Sequence, residues 1–252
     1  MTDLVQTARE GGVTRITLAR PDKKNALTGA MYEAMMAAFR EAEADEGVGA
    51  ILIAGSGGAF TAGNDIGDFL AFASQPGAAP PFRFVRALAS LEKPLVAAVE
   101  GVAVGIGTTL LLHCDLAFAA PTARFRMPFV DLGLVPEAGS SLLLPQRVGH
   151  AKAAELLMLA EGFDAAEALR LGLVNAVVPA DALAAHAMDR ARALAAKPRA
   201  AMLATRRLLR GDRAALMAAI DAEAEAFGRA LASEEARAAF MAFLSRPKAA
   251  AR

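Results

Sequence analysis

The sequence predicts an α/β protein: strands and helices wound into coils, followed by a helical C-terminal region. Three observations predict it. Through roughly the first 180 residues, short apolar or β-branched runs alternate with segments of helical period. Within that stretch two strand patterns precede a helix and strands then resume, as in right-handed β/α coils and unlike a doubly wound sheet. From Asp181 onward the pattern is helical.

Val13–Leu18 is β-branched and alternating, the mark of a half-buried strand. Thr28 is placed to cap a helix running to about Glu46, with Met31, Met35, Phe39 and Ala42 on one face. The mostly apolar Ala50–Ala54 and Leu95–Val99 read as buried strands. Between them Gln75–Pro81, Q-P-G-A-A-P-P, reads as a mobile loop. A helix is expected over Gly105–Leu112, then short strands at Asp115–Ala119 and Arg124–Met127 on either side of the Pro121 turn. Helices follow at Ser140–Arg147 and Ala151–Ala160. Asp164 caps a helix over Ala165–Leu171 that Gly172 ends, and Leu173–Val178 is the last strand. The final helices break at Pro198, at Gly211-Asp212 and at Ser233, which Glu234 and Glu235 follow as first-turn acids. They are alanine-rich with a thin stripe of leucine, methionine and phenylalanine, so they must pack on the main domain or on another subunit.

Composition excludes several classes of function. The chain has 252 residues, with Lys plus Arg and Asp plus Glu at 27 each, so no net field draws it to nucleic acid or to an anionic membrane. The basic spots at Arg20, Lys23, Lys24 and at Arg206, Arg207, Arg210 read as solvated surface. Cys114 is the only cysteine, which rules out an intramolecular disulfide and suits a reducing compartment. The charge-free run Gly101–Leu112 is shorter than the ~18 residues of a membrane span. The first twenty residues have no hydrophobic signal core, and Ala250-Ala251-Arg252 is no peroxisomal address, so a cytoplasmic location is expected.

The chemistry-bearing residue is Glu137, a lone carboxylate in the run V-P-E-A-G-S-S at Val135–Ser141. Two earlier segments, Ala59–Ile66 and Gly101–Gly107, are of a type that aims backbone N–H groups outward. A base near two such donors is the minimum equipment for removing a proton beside a carbonyl that becomes an oxyanion. Competing chemistries fail on spacing. Gly105-Ile-Gly107 lacks the third glycine of a dinucleotide fingerprint, and there is neither a P-loop nor a G-x-S-x-G elbow. His113-Cys114-Asp115 cannot converge on one metal because neighbouring side chains diverge, so His113 reads as structural and no metal site is expected.

Arg20–Leu27 (R-P-D-K-K-N-A-L), Ala59–Ile66 (A-F-T-A-G-N-D-I), Lys93-Pro94 with Gly101–Gly107, Cys114-Asp115-Leu116, and Ala165–Val174 stand in register over roughly 155 residues. Together they resemble the crotonase family, the enoyl-CoA hydratase and isomerase superfamily. The resemblance implies a crotonase-like spiral of ββα repeats over residues 1–195 and a helical trimerisation region over residues 196–252. It implies a homotrimer or a dimer of trimers, an acyl-CoA thioester substrate, and no cofactor beyond the coenzyme A carried by that substrate. It implies an oxyanion hole from the backbone N–H groups of Asn64 and Ile106, each worth ~3 kcal/mol. Lys23 and Lys24 are expected near the CoA phosphates and Ala26 near the pantetheine entry. Ala62, Asp65, Ile66 and Gly105 are expected along the ligand path, with Phe243 and Lys248 contributed from the C-terminal region.

The chain departs from the hydratase pattern where it matters. The two positions that hold glutamates in the hydratases carry Thr109 and Phe129 here. Neither takes a proton from water at neutral pH. Pro136–Ser141 (P-E-A-G-S-S) is similar to the base-bearing segment of the Δ3,Δ2-enoyl-CoA isomerases, which makes Glu137 the proton shuttle, with Asp131 as the rival carboxylate. Phe129, Leu132 and Leu134 would form the apolar wall. The alternatives are a hydratase-like activity or an acyl-CoA-binding module without catalysis.

Overall fold

The computed structural model describes residues 3–71 and 79–245. The elements in order are β1 (Val5–Glu10), β2 (Val13–Leu18), α1 (Gly29–Ala44), β3 (Ala50–Gly55), α2 (Ile66–Ala71), α3 (Pro80–Ser90), β4 (Leu95–Val99), β5 (Val102–Val104) and α4 (Ile106–Thr109). Then come β6 (Leu116–Ala119), β7 (Arg124–Arg126), α5 (Ser140–Val148), α6 (His150–Ala154), β8 (Phe163–Asp164), α7 (Ala165–Arg170) and β9 (Ala176–Val177). Four helices close the chain: α8 (Ala180–Ala195), α9 (Arg199–Arg210), α10 (Arg213–Leu231) and α11 (Glu234–Leu244).

Two sheets share the strands. One is six-stranded in the order β1-β2-β3-β4-β6-β9, parallel except for the β1–β2 hairpin, and the other is β5-β7-β8. A strand of the large sheet, a strand of the small one and a helix make one turn of a coil, as in β4-β5-α4 and then β6-β7. Earlier turns leave single-residue steps in the second layer: Leu27 pairs in parallel with Asn64, and Thr61 with Ala103, extending the line that β5 and β7 continue. That layer sets the position of the candidate site.

β3 and β4 are apolar throughout because both faces of the large sheet are covered. On one face Ile51, Ile53, Leu95 and Ala97 join the main core with Met31, Met35 and Phe39 of α1 and Phe84 and Leu88 of α3. On the other, Leu52, Val96 and Phe118 pack against Leu183, Ala187 and Met188 of α8. The alanine-rich C-terminal helices are therefore partly explained by the chain's own sheet. α10 packs on α3 and α5, and α11 on the turn Val130–Leu132.

Several elements differ from the sequence expectation, each for a local reason. β1 is an edge strand whose side chains, Val5 apart, face solvent, so it carries no apolar alternation. It joins β2 through Gly11 and Gly12, both at positive φ, as a two-residue hairpin demands. Pro80 and Pro81 open α3 rather than end a loop, since proline fits the first turn of a helix. The rest of the expected loop, from residue 75 to 78, lies outside the described residues. The helix from Gly105 tightens into a 3-10 turn at Leu110–His113, and the one after His150 widens into a π turn at Glu155–Leu159. The strand expected over Leu173–Val178 shrinks to Ala176–Val177, because the N–H groups of Leu173 and Val174 turn back to the Ala168 carbonyl at the end of α7. Arg206 is no solvated surface residue. It is 5% exposed, donates from Nε to both Asp115 oxygens (3.0 and 2.8 Å) and bonds the Leu91 carbonyl, which staples α9 to the coil.

Candidate active site

The oxyanion segments are built from main chain. Pro21–Lys23 forms a 3-10 turn, after which Lys24 and Asn25 both adopt left-handed φ values of 49° and 55°. Asn25 is fully buried and bridges three backbones: Nδ2 donates to the carbonyls of Ser56 (2.9 Å) and Ala59 (2.7 Å), while Oδ1 accepts from Arg20 N (2.8 Å). This clamp lays Ala62–Asp65 against Lys24–Leu27. Ala62 N bonds Lys24 O, Leu27 N bonds Gly63 O, and Asp65 N bonds Leu27 O, at 2.8–2.9 Å. Gly63 N is taken by Thr61 Oγ1 (3.1 Å). The N–H groups on either side of Asn64 are thus committed, while that of Asn64 has no acceptor among the described residues.

The partner segment lies alongside. Thr61 N bonds Val102 O and Val104 N bonds Thr61 O, at 2.9 and 3.0 Å. Gly105 N is tied to Arg126 O (2.8 Å), so Ile106 begins α4 with a first-turn N–H that has no intrahelical acceptor. Glycine is required at both contacts. A Cβ on Gly63 would sit 2.8 Å from Val104 O, and one on Gly107 would sit 2.7 Å from Thr61 Cγ2. The structure therefore brings Asn64 and Ile106 onto adjacent segments of one layer.

Glu137 lies on a strained loop and reaches the end of α4. It is partly buried, and its carboxyl accepts from Thr109 Oγ1 at 2.5 Å. Loss of solvent around the carboxyl pushes its pKa up to about 8; the Thr109 hydrogen bond opposes this shift, and the charge of Glu223 adds to it. Tyr32, on the core face of α1, donates to Asn64 Oδ1 at 2.5 Å. Burial, and then the Glu137 charge, raises its phenol well above the ordinary value, so Tyr32 stays a neutral donor. Base and oxyanion segment thus share a buried polar neighbourhood.

The loop itself is held at every joint. Ala138 and Gly139 both lie in the left-handed region, at φ 61° and 68°. For alanine that conformation costs energy and persists only where neighbours impose it. His113 Nε2 bonds the Ala138 carbonyl at 2.7 Å. Burial lowers the imidazole to about 4, which keeps it neutral, so Nε2 carries the proton it donates. The Ser140 N–H and hydroxyl both donate to the Glu137 carbonyl (3.1 and 2.6 Å). Glu223 takes Gly139 N, Ser141 N and Ser141 Oγ.

Other expected site residues are placed as follows. Lys23 and Lys24 are exposed, and Ala26, Ala62, Ile66 and Gly105 are partly exposed. The Asp65 carboxylate is committed to structure: it pairs with Arg20 (2.8 Å) and accepts the Gly67 and Asp68 N–H groups at the start of α2. The Arg20 hydrogen bond holds its pKa below the usual carboxylate value. Asp131 forms a half-exposed pair with Arg126 (2.6 Å). Phe129 and Leu134 are buried in the main core and Leu132 packs against it. The Phe243 side chain and Lys248 lie outside the described residues. Sequence reasoning missed Tyr32 and Glu223. Glu223 had a readable signal, since Leu216, Ile220, Glu223 and Phe227 form the buried stripe of α10, an odd place for a carboxylate. Among the described residues no helix is long and apolar enough to cross a membrane.

Comparison with known proteins identifies the family and the fold. The family model described as enoyl-CoA hydratase/isomerase matches residues 8–250. Enoyl-CoA delta isomerase 2 of Rattus norvegicus is 36% identical over 94% of this chain, which spans 62% of the rat protein's length. The probable enoyl-CoA hydratase of Rhizobium meliloti (strain 1021) is 37% identical, over 98% of this chain and 96% of that one. The structure of Pseudomonas aeruginosa OdaA superposes with a TM-score of 0.92 at 47% identity, covering 97% of this chain and all of that one. The match over nearly the whole length, in sequence and in fold, makes this chain a crotonase-fold enzyme of the enoyl-CoA hydratase/isomerase family.

Proposed function

We propose that the protein shifts the double bond of a 3-enoyl-CoA to the 2-position, with Glu137 as the only acid–base group. The carboxylate removes a C2 proton. The resulting dienolate oxygen rests on the Asn64 and Ile106 N–H groups, and the protonated Glu137 returns the proton to C4. The feature that carries this reading is the Glu137 carboxyl hydrogen-bonded to Thr109, where a hydratase would keep a second glutamate, with burial raising its pKa to about 8. A raised pKa makes Glu137 a stronger base and, once protonated, a competent acid for C4. Water addition needs a second group to activate and orient water, and Phe129 is buried hydrocarbon. The hydratase names among the relatives favour the competing reading, and a spectrophotometric assay separates the two. Turnover of 3-hexenoyl-CoA should exceed hydration of crotonyl-CoA by at least tenfold; the reverse order would overturn the isomerase reading.

Exposed Lys23 and Lys24 suit the CoA phosphates, and neutralising both should weaken acyl-CoA binding and flatten its salt dependence. We also propose a homotrimer or dimer of trimers. Leu208 and Leu209 of α9 are 84% and 83% exposed, and Met158 is 70% exposed, apolar side chains that a second copy would cover. A solution mass other than three or six chains would refute this assembly.

A further inference from the structure

We infer that Glu223 of α10 is a positioning residue for the reaction, acting through the loop that aims Glu137; the inference rests on Glu137 being the base. Its carboxylate is 7% exposed and receives three hydrogen bonds from that loop: Gly139 N to one oxygen at 2.6 Å, Ser141 N at 2.8 Å and Ser141 Oγ at 2.5 Å to the other. These N–H groups open α5, where the helix dipole favours an anion. Left-handed Gly139 followed by helical Ser140 turns the Gly139 and Ser141 amides toward one point, a nest that this carboxylate fills.

The strain at Ala138 identifies what the carboxylate does. Left-handed alanine needs external restraint, and only Ala138 and its carbonyl, gripped by His113, separate Glu137 from the Gly139 amide that Glu223 holds. The packing leaves little slack: a Cβ at Gly139 would lie 2.5 Å from Leu216 Cδ1 on the same helix α10. A buried acid on the apolar stripe of a helix is costly to keep for stability alone, because a methionine there would pack without desolvating a charge. What a methionine cannot do is fix the three donors and so the direction of the Glu137 side chain.

The test is kinetic. Glu223→Gln keeps volume but sets an amide NH2 against the Gly139 N–H or the Ser141 donors. It should lower kcat for 3-hexenoyl-CoA by about 10- to 100-fold, while the affinity for hexanoyl-CoA, a thioester with no double bond to move, stays within threefold. Ser141→Ala removes one of the three bonds and should cost about two- to fivefold in kcat, and it provides the measurement if the Glu223 variant does not fold. Combined with Glu137→Gln, Glu223→Gln should leave the residual rate unchanged, since a positioning residue has nothing left to position. Parental kcat in both Glu223→Gln and Ser141→Ala, or a loss repeated in full in the Glu137→Gln background, would overturn the inference. Full activity in Glu137→Gln would instead remove the base reading on which it rests.

Discussion

The two halves of the candidate site are made in opposite ways. The oxyanion half is main chain. Asn64 and Ile106 are positioned by parallel backbone pairing and by glycines at 63 and 107 whose absent side chains let two segments touch. The base half is a side chain on a loop with a left-handed alanine, held by a histidine from the 3-10 turn after α4 and a glutamate from α10. The first depends on main-chain contacts within one layer of the coil, the second on side chains from other elements, Glu223 being 84 residues from Gly139. Substitutions at Asn64 or Ile106 should therefore matter less than their position suggests, while changes remote from Glu137 should matter more.

The largest effect expected on either half comes from Glu137→Gln, which keeps shape and removes the base. Isomerisation should fall by about 10²–10⁴-fold with acyl-CoA affinity within a few-fold. An unchanged rate would move the base elsewhere and end the contrast. The oxyanion half is tested next by Gly63→Ala against Ile106→Val. The alanine must adopt φ 88° and meet Val104 O, displacing the Asn64 donor, and should cost on the order of 10²-fold in kcat. The valine leaves the backbone alone and should stay within about threefold. Equal losses in the two variants would show that side chains, not main chain, carry the oxyanion half.

The smallest effects concern pH. With the Glu137 pKa at about 8, the active carboxylate is scarce at pH 7, so kcat/KM should climb roughly tenfold from pH 7 to a plateau above pH 9. Thr109→Val removes a donor that favours the charged form. The Glu137 pKa should then rise further, the limb should move to higher pH, and the rate at pH 7 should drop several-fold. A limb that does not move would mean the hydroxyl does not hold the carboxylate. The same shift has a stability side. A carboxyl raised from 4.5 contributes stability below that value and loses it as pH rises toward 8. Glu137→Gln should therefore melt at a higher temperature than the parent at pH 8, a gain absent at pH 4.

Much of this was legible in the sequence where a local rule decides. The Thr28 cap and the Met31, Met35, Phe39 stripe form α1 as the periodicity requires, and Asp164 caps α7 by accepting from Glu167 N. Glu137 and the segments Ala59–Ile66 and Gly101–Gly107 stand out by their residue pattern. Their surroundings do not. Glu223 is 84 residues from Gly139, and Arg206 is 91 from Asp115, so no window of sequence contains either pair. A carboxylate within a helical stripe signals only that something polar must meet it, and the partner is chosen by how α10 crosses α5. β1 was invisible for the converse reason: an edge strand with one buried residue has no pattern to read.

The parallel steps Leu27–Asn64 and Thr61–Ala103, continued by β5 and β7, run through consecutive turns of the coil. Each turn is therefore a support for the next, and the positions of the Asn64 and Ile106 amides are a by-product of winding. Such a scaffold separates what must be kept from what is free to change. Thr109 and Phe129 meet the site as side chains, whereas the Asn64 and Ile106 amides belong to the paired main chain itself. Side chains at the site can therefore differ while the paired main chain beneath them stays as it is.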